Sequence, residues 1–139
     1  MRLDRIYYSL PIALQNTAFS IYGHYLSKKR YGGLWGSSAV GYVMAGESYE
    51  HAAQRELAEE LGIRKTPLTH LGNITLDFDG IRRFAGFFLC VYNGRIVPDP
   101  REIEEGRFFT LDEAEELMQA SNIMPSFPIL FDHFKKTYF

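Results

Sequence analysis

The spacing of apolar residues changes period along this chain. From Ile6 to Leu14, β-branched and aromatic residues crowd together, and a turn at Gln15-Asn16-Thr17 predicts a second strand from Ala18 to Leu26. Pro11 interrupts the first run and suits an edge or a bulge, because proline has no N–H for a ladder. Ser27 to Ser38, with Lys28, Lys29, Arg30, Gly32, Gly33 and Gly36, reads as a basic loop punctuated by glycine. The period then lengthens. Ala53, Leu57 and Leu61 recur at helical spacing, Ser48 is placed as an N-cap, Glu50 complements the positive helix start, and Gly62 is placed as the stop.

Strand signals return after Gly62. Ile74 to Phe78 and Arg82 to Tyr92 read as a hairpin across Asp79-Gly80, and a second turn at Asn93-Gly94 leads into Arg95 to Val97. Phe108 to Thr110 is a short strand, and Thr110 with Glu113 forms a capping box opening a helix through about Ala120. Pro125, Ser126 and Pro128 precede a last helix, in which Ile129, Leu130, Phe134 and Tyr138 can share a face, with Lys135 and Lys136 near its negative end. With no repeat, low-complexity tract or linker between these elements, the pattern predicts one domain over residues 1–139, a mixed sheet sandwiched by helices.

Composition narrows the partners. With 139 residues, 46% hydrophobic and 23% charged, the chain can bury a core without disulfide or metal staples. A formal charge of -2 supplies no basic field for a polyanion, which excludes long nucleic acid as the main partner. The single cysteine, Cys90, cannot pair internally, and Phe88, Leu89 and Val91 around it predict a buried, inert thiol. No apolar run approaches a membrane span, and the N-terminus lacks a basic segment followed by a long apolar stretch, so a cytoplasmic protein is expected.

The chemistry concentrates in the helix. At a helical period Glu56, Glu59 and Glu60 share one arc of about 100 degrees, beside the arc of Ala53, Leu57 and Leu61. Carboxylates crowded in this way repel, and a divalent cation such as Mg²⁺ or Mn²⁺, which prefers hard oxygen donors, relieves the repulsion. Such a cation also reverses the sign of a site that would otherwise repel phosphate, and it makes a bound water a better nucleophile. Arg55 lies beside the arc, and its planar guanidinium can reach back to Glu47 and fix the preceding loop against the helix. Most charge runs are simply solvated helix faces. Here Gly41, Glu47, Arg55, Glu56, Leu57, Glu59, Glu60, Gly62 and Ile63 stand at fixed spacings that would coincide by chance with a probability on the order of 10⁻⁸.

Those residues match the signature of the Nudix hydrolase superfamily, GX5EX7REUXEEXGU with U aliphatic, at every specified position from Gly41 to Ile63. The resemblance implies an α/β protein with the Nudix fold, an α/β/α sandwich around a mixed sheet. It implies an enzyme that uses Mg²⁺ or Mn²⁺ to cleave a diphosphate bond in a small molecule, a nucleoside diphosphate linked to another group. By position, Glu56 and Glu60 would be principal metal ligands, Glu59 a ligand or the water-activating base, and Arg55 with Glu47 the supporting pair. Many relatives draw a further ligand from the carbonyl before the first motif glycine, which is Val40 here. Another glutamate often precedes the next aromatic strand, a place open to Glu102, Glu104 or Glu105, with Glu102 favoured. The superfamily often forms homodimers, though no residue here specifies one.

Gly33-Leu34-Trp35, Ala39-Val40-Gly41 and Ala45-Gly46-Glu47-Ser48-Tyr49 resemble the branch related to isopentenyl diphosphate isomerase. The isomerase's catalytic cysteine and metal-binding histidine are replaced by Val40 and Tyr42, no second catalytic glutamate stands out around Phe87 to Cys90, and the signature is intact. Hydrolysis is therefore the expected chemistry, with a nucleotide-binding or regulatory domain that does not cleave, or an isomerase, as alternatives. Lys28, Lys29, Arg30, Arg82 and Arg83 are candidates for phosphate contacts, and Tyr31, Trp35, Tyr42 and Phe127 for stacking on a base, but no residue names the substrate. His24, His51, His70 and His133 are scattered and form no metal-ligand pattern.

Overall fold

A computed structural model describes residues 5–13, 18–22, 35–36, 39–78, 80–92, 94–101, 103, 106–119 and 123–138, with β1 and β2 described as backbone. In chain order the elements are β1 (Arg5–Ala13), β2 (Ala18–Tyr22), β3 (Ala39–Tyr42), α1 (Tyr49–Leu61), β4 (Leu68–Phe78), β5 (Ile81–Val91), β6 (Gly106–Thr110), α2 (Leu111–Gln119) and α3 (Ser126–Tyr138). The six strands form one sheet in the order β4-β5-β1-β2-β6, with β3 also beside β1. It is mixed: β5 runs parallel to β1 from Arg5↔Phe84 to Ile12↔Val91 and antiparallel to β4 from Leu68↔Cys90 to Phe78↔Ile81.

The second edge of β1 is shared. β3 pairs with Ile6 to Ser9, and β2 pairs with Ile12 and Ala13. Pro11 therefore lies in a central strand rather than at the expected edge, in the gap where the partner changes from Ser9↔Ala39 to Ile12↔Phe19. Such a break accommodates a residue with no N–H to give. The sequence pattern also shortens β4, which extends back from Ile74 to Leu68 across a register shift between His70 and Gly72. The carbonyl of Leu71, at that bulge, lies 3.0 Å from His133 Nε2 of α3, so a side chain meets a group that the irregular ladder leaves over.

Helices cover both faces. Gly86 lies under the ring of Tyr49, where an added Cβ would approach to 2.8 Å, and Phe88 packs with Ala52 and Ala53 of α1. The next residue along β5, Phe87, points the other way and meets His133 of α3 edge-on, with ring centroids 5.8 Å apart. Among the described residues, Phe87, Leu57, Leu61, Ile63, Phe127 and Phe131 are the largest fully buried side chains. The buried stripe of α3 differs from expectation: Phe127, Leu130, Phe131 and Phe134 turn inward, while Ile129 is 37% exposed and the Tyr138 side chain is outside the described set. Cys90 is buried, and burial pushes its thiol up to about 11, so it stays protonated and inert at neutral pH.

Arg95 to Val97 does not form the expected strand. Its neighbourhood closes α1 instead: Val97 N–H donates to Leu61 O at 2.9 Å, and Asp99 N–H donates to Glu60 O at 2.8 Å. Both carbonyls belong to the last helical turn, which has no donors of its own to offer them. Gly62, left-handed at φ 68, bends the chain so that its own N–H returns to Ala58 O at 3.1 Å. Among the described residues no helix is long and apolar enough to cross a membrane.

Candidate functional site

The site begins where β3 ends. After Tyr42 the chain turns at Gly46, whose φ of 83 is one that side chains rarely tolerate, and Glu47 N–H closes the turn on Met44 O at 3.0 Å. The Glu47 carboxylate folds back over this turn and accepts the Met44 N–H at 2.9 Å. Ser48 then caps α1, its Oγ accepting the His51 N–H at 3.1 Å, and the helix starts in a fixed direction.

Arg55, in the second turn of α1, holds the assembly together. Its Nε donates to Glu47 Oε2 at 2.8 Å and its Nη2 to Glu47 Oε1 at 3.0 Å, a fork against a fork. Nη2 also donates to the main-chain carbonyl of Tyr42 at 3.0 Å, while Nη1 reaches Glu56 at 2.7 Å and Glu59 at 3.5 Å. One planar cation thus joins the end of β3, the turn and the helix face. The hydrogen bond from Arg55 and that from Met44 hold the Glu47 carboxyl down at about 2, and Glu47 in turn raises the pKa of Arg55.

A pH signature follows. A carboxyl depressed in the folded state contributes stability that is full above its ordinary value of 4.5 and is lost as pH falls towards about 2. We predict that thermal melts of wild type and Glu47→Gln differ by a constant amount above about pH 5 and converge as pH falls below 4. A gap that stays constant down to about pH 2 would contradict this assignment.

Glu56 is partly buried at Arg55, Glu59 is largely exposed, and Glu60, in the last turn of α1, is 4% exposed. Val40 lies in β3 opposite Tyr8, with its side chain outside the described set. Glu102, Glu104 and Glu105 also lie outside the described residues. Their neighbours are fixed: Arg101 chelates Asp99, with N–H to Oδ1 at 3.0 Å and Nη2 to Oδ2 at 3.1 Å, and Ile103 is buried with its N–H on Asp99 O at 2.9 Å. Arg101 holds the Asp99 carboxyl below the ordinary range.

Among the described residues, no three His, Cys, Asp or Glu side chains converge as a ready cage for a metal. The donors nevertheless fit a hard divalent cation. Glu56 and Glu59 already meet at one positively charged nitrogen, and Mg²⁺ characteristically takes only one or two carboxylates and completes its shell with water and substrate phosphate.

Other sequence candidates separate. Arg82 is held by Asp77, with Nε to Oδ1 at 2.9 Å, and the Arg83 side chain is outside the described set. Lys28, Lys29, Arg30 and Tyr31 lie outside the described residues, as does His24. Trp35 and Phe127 are core residues, 6% and 0% exposed, which removes them as stacking candidates, whereas Tyr42 is exposed. His51 lies on the exposed side of α1, and His70 turns to Asn73 at 2.9 Å. The Tyr42 carbonyl escapes sequence reasoning, since a main-chain acceptor has no letter; its only trace is a glutamate–arginine pair placed to fold a loop back.

Comparison with known proteins bears on the same segment. The chain matches the NUDIX domain over residues 15–128. It is 36% identical over 111 residues to an uncharacterized Nudix hydrolase of Pseudomonas aeruginosa, covering 77% of this chain and 66% of that protein. It is 37% identical over 76 residues to the NAD-capped RNA hydrolase NudC of P. aeruginosa (strain LESB58), covering 55% of this chain but 27% of NudC. The NUDIX domain of Shewanella oneidensis NrtR, crystallised with ADP ribose, superposes with a TM-score of 0.78 at 12% identity, over 100% of this chain and 90% of that one. With an α/β/α sandwich, an unbroken signature on α1 and a domain match over most of its length, this chain belongs to the Nudix family.

Proposed function

We propose that the protein is a metal-dependent hydrolase that cleaves the diphosphate bond of a nucleoside diphosphate joined to another moiety, releasing a monophosphate. The observation that carries this reading is Arg55 gripping Glu47, Glu56, Glu59 and the Tyr42 carbonyl at once, an arrangement that orients carboxylates beyond any need of the core. Membership of the Nudix family supports it, as does the named activity of NudC.

In this mechanism Glu56 and Glu60 would hold Mg²⁺ or Mn²⁺, with the Val40 carbonyl and Glu102 as further ligands. When bound there, such an ion would supply Lewis-acid chemistry, making water a better nucleophile and offsetting phosphoryl charge. Glu59, exposed on the same arc, completes the ligand set or accepts the water's proton. Arg55 and Glu47 are positioning residues: the guanidinium spaces the carboxylates, and Glu47 holds the guanidinium. The partner is a small molecule, and a homodimer working in the cytoplasm completes the proposal.

Purified protein offered ADP-ribose, NAD and dinucleoside polyphosphates with Mg²⁺ or Mn²⁺ is expected to release a nucleoside monophosphate from at least one, and chelation should abolish it. No product from any of them with either metal sinks the proposal. A second reading is nucleotide binding without cleavage, against which the intact Glu56, Glu59 and Glu60 argue. Tight binding with no turnover would select it. Val40 and Tyr42, at the cysteine and histidine positions of isopentenyl diphosphate isomerase, argue against the isomerase, which allylic product from isopentenyl diphosphate would restore.

A further inference from the structure

We infer that Tyr42 and Met44 form a shelf on which the aromatic base of the nucleotide stacks, an inference that rests on the nucleotide reading above. Their side chains are 58% and 60% exposed. One exposed apolar side chain is ordinary, but these two lie two residues apart on a segment whose backbone is pinned. The Tyr42 carbonyl is held by Arg55 Nη2, the Met44 N–H by Glu47 Oε1 and the Met44 carbonyl by the Glu47 N–H, at 3.0, 2.9 and 3.0 Å. The residues that organise the acidic arc therefore also hold a ring and a thioether out towards solvent beside it.

The chemistry of the shelf selects its ligand. A phenol ring takes a planar base in offset stacking, and a polarizable sulfur lies well against an aromatic edge. Neither side chain reads the hydrogen-bonding edge of a base, so the shelf requires an aromatic base and discriminates weakly among bases. It stands next to Gly41 and Val40, so a base lying there keeps its diphosphate near α1. Of the aromatic residues considered for stacking, Trp35 and Phe127 belong to the core, whereas Tyr42 meets solvent.

The test compares ADP-ribose with ribose 5-diphosphate, which lacks the base, using calorimetry in Ca²⁺ for binding and steady-state assays in Mg²⁺. Tyr42→Ala is expected to weaken ADP-ribose binding about 5- to 100-fold and to raise KM in proportion, with Tyr42→Phe recovering most of the affinity. Met44→Ala should give a smaller loss in the same direction. Ribose 5-diphosphate binding should be the same in every variant. Equal affinity of wild type and Tyr42→Ala for ADP-ribose overturns the shelf, as does an equal loss for the abasic compound, which would mark a structural role. A change in sedimentation with no change in affinity overturns it in favour of a contact between copies. The two readings separate cleanly: Tyr42-dependent binding without product keeps the shelf and ends the hydrolase, cleavage insensitive to Tyr42 does the reverse, and neither binding nor cleavage ends both.

Discussion

Glu60→Gln and Glu59→Gln should each lower turnover by about 10²-fold or more while leaving the fold intact. Glutamine keeps the shape of glutamate and removes its charge, so the variants isolate charge from packing. The two should fail differently. Glu60 is buried at the end of α1, and as a ligand its loss should raise the Mg²⁺ concentration needed for half-maximal rate. Glu59 is exposed, and as the base its loss should depress kcat even at saturating metal. A metal titration of both variants, alongside circular dichroism, checks this. Wild-type rates in either would remove that carboxylate from the chemistry, and wild-type rates in both would remove the helix.

Arg55→Ala should cost both stability and rate, because it strips the shared donor from Glu47, Glu56, Glu59 and the Tyr42 carbonyl at once. Three carboxylates then face one another with their common counter-ion gone, two of them largely out of water. We expect Tm to fall by about 5 °C and turnover by about 10- to 100-fold. Arg55→Lys is the sharper probe. A lysine keeps the charge but not the fork, so it cannot span the turn, the strand end and the helix together, and it should recover stability better than rate. If Arg55→Lys matches wild type in both, the fork geometry is irrelevant and the residue is only a charge.

The sequence made α1 readable because every signal on it is local: the Ser48 cap, the Gly62 stop and a helical period of apolar residues between them. β5 was readable for a similar reason, as its run of phenylalanine and leucine is buried on both faces. Non-local pairing hid the rest. β3 is four residues long, contains Gly41 and exists through its register with β1, so no run of its own marks it as a strand. The first half of β4 carries Thr69, His70 and Asn73 at exposed positions and a bulge between them, which erases the alternation. Arg95 to Val97 looked like strand, but the Val97 N–H serves the end of a helix far back in the chain.

The same division applies to the site. Glu47, Arg55, Glu56, Glu59 and Glu60 were legible as a pattern of letters, since spacing on a helix fixes which side chains share an arc. The alignment of Arg55 with a main-chain carbonyl was not, and neither was the choice between an exposed tyrosine and a buried tryptophan as the ring that meets solvent. Both depend on contacts between distant segments, Arg55 on the end of β3 and Trp35 against Phe109, which local composition does not specify.

The stitch between Asp99 and Glu60, with its neighbour between Val97 and Leu61, ties residues 97–99 to the end of the acidic helix. Pulling that segment away would strip two donors from the carbonyls of the final turn, loosening the backbone beneath Glu60. The footing of the Glu60 carboxylate thereby rests on chain nearly forty residues downstream, and a change at Val97 or Asp99 reaches the acidic arc through the main chain alone.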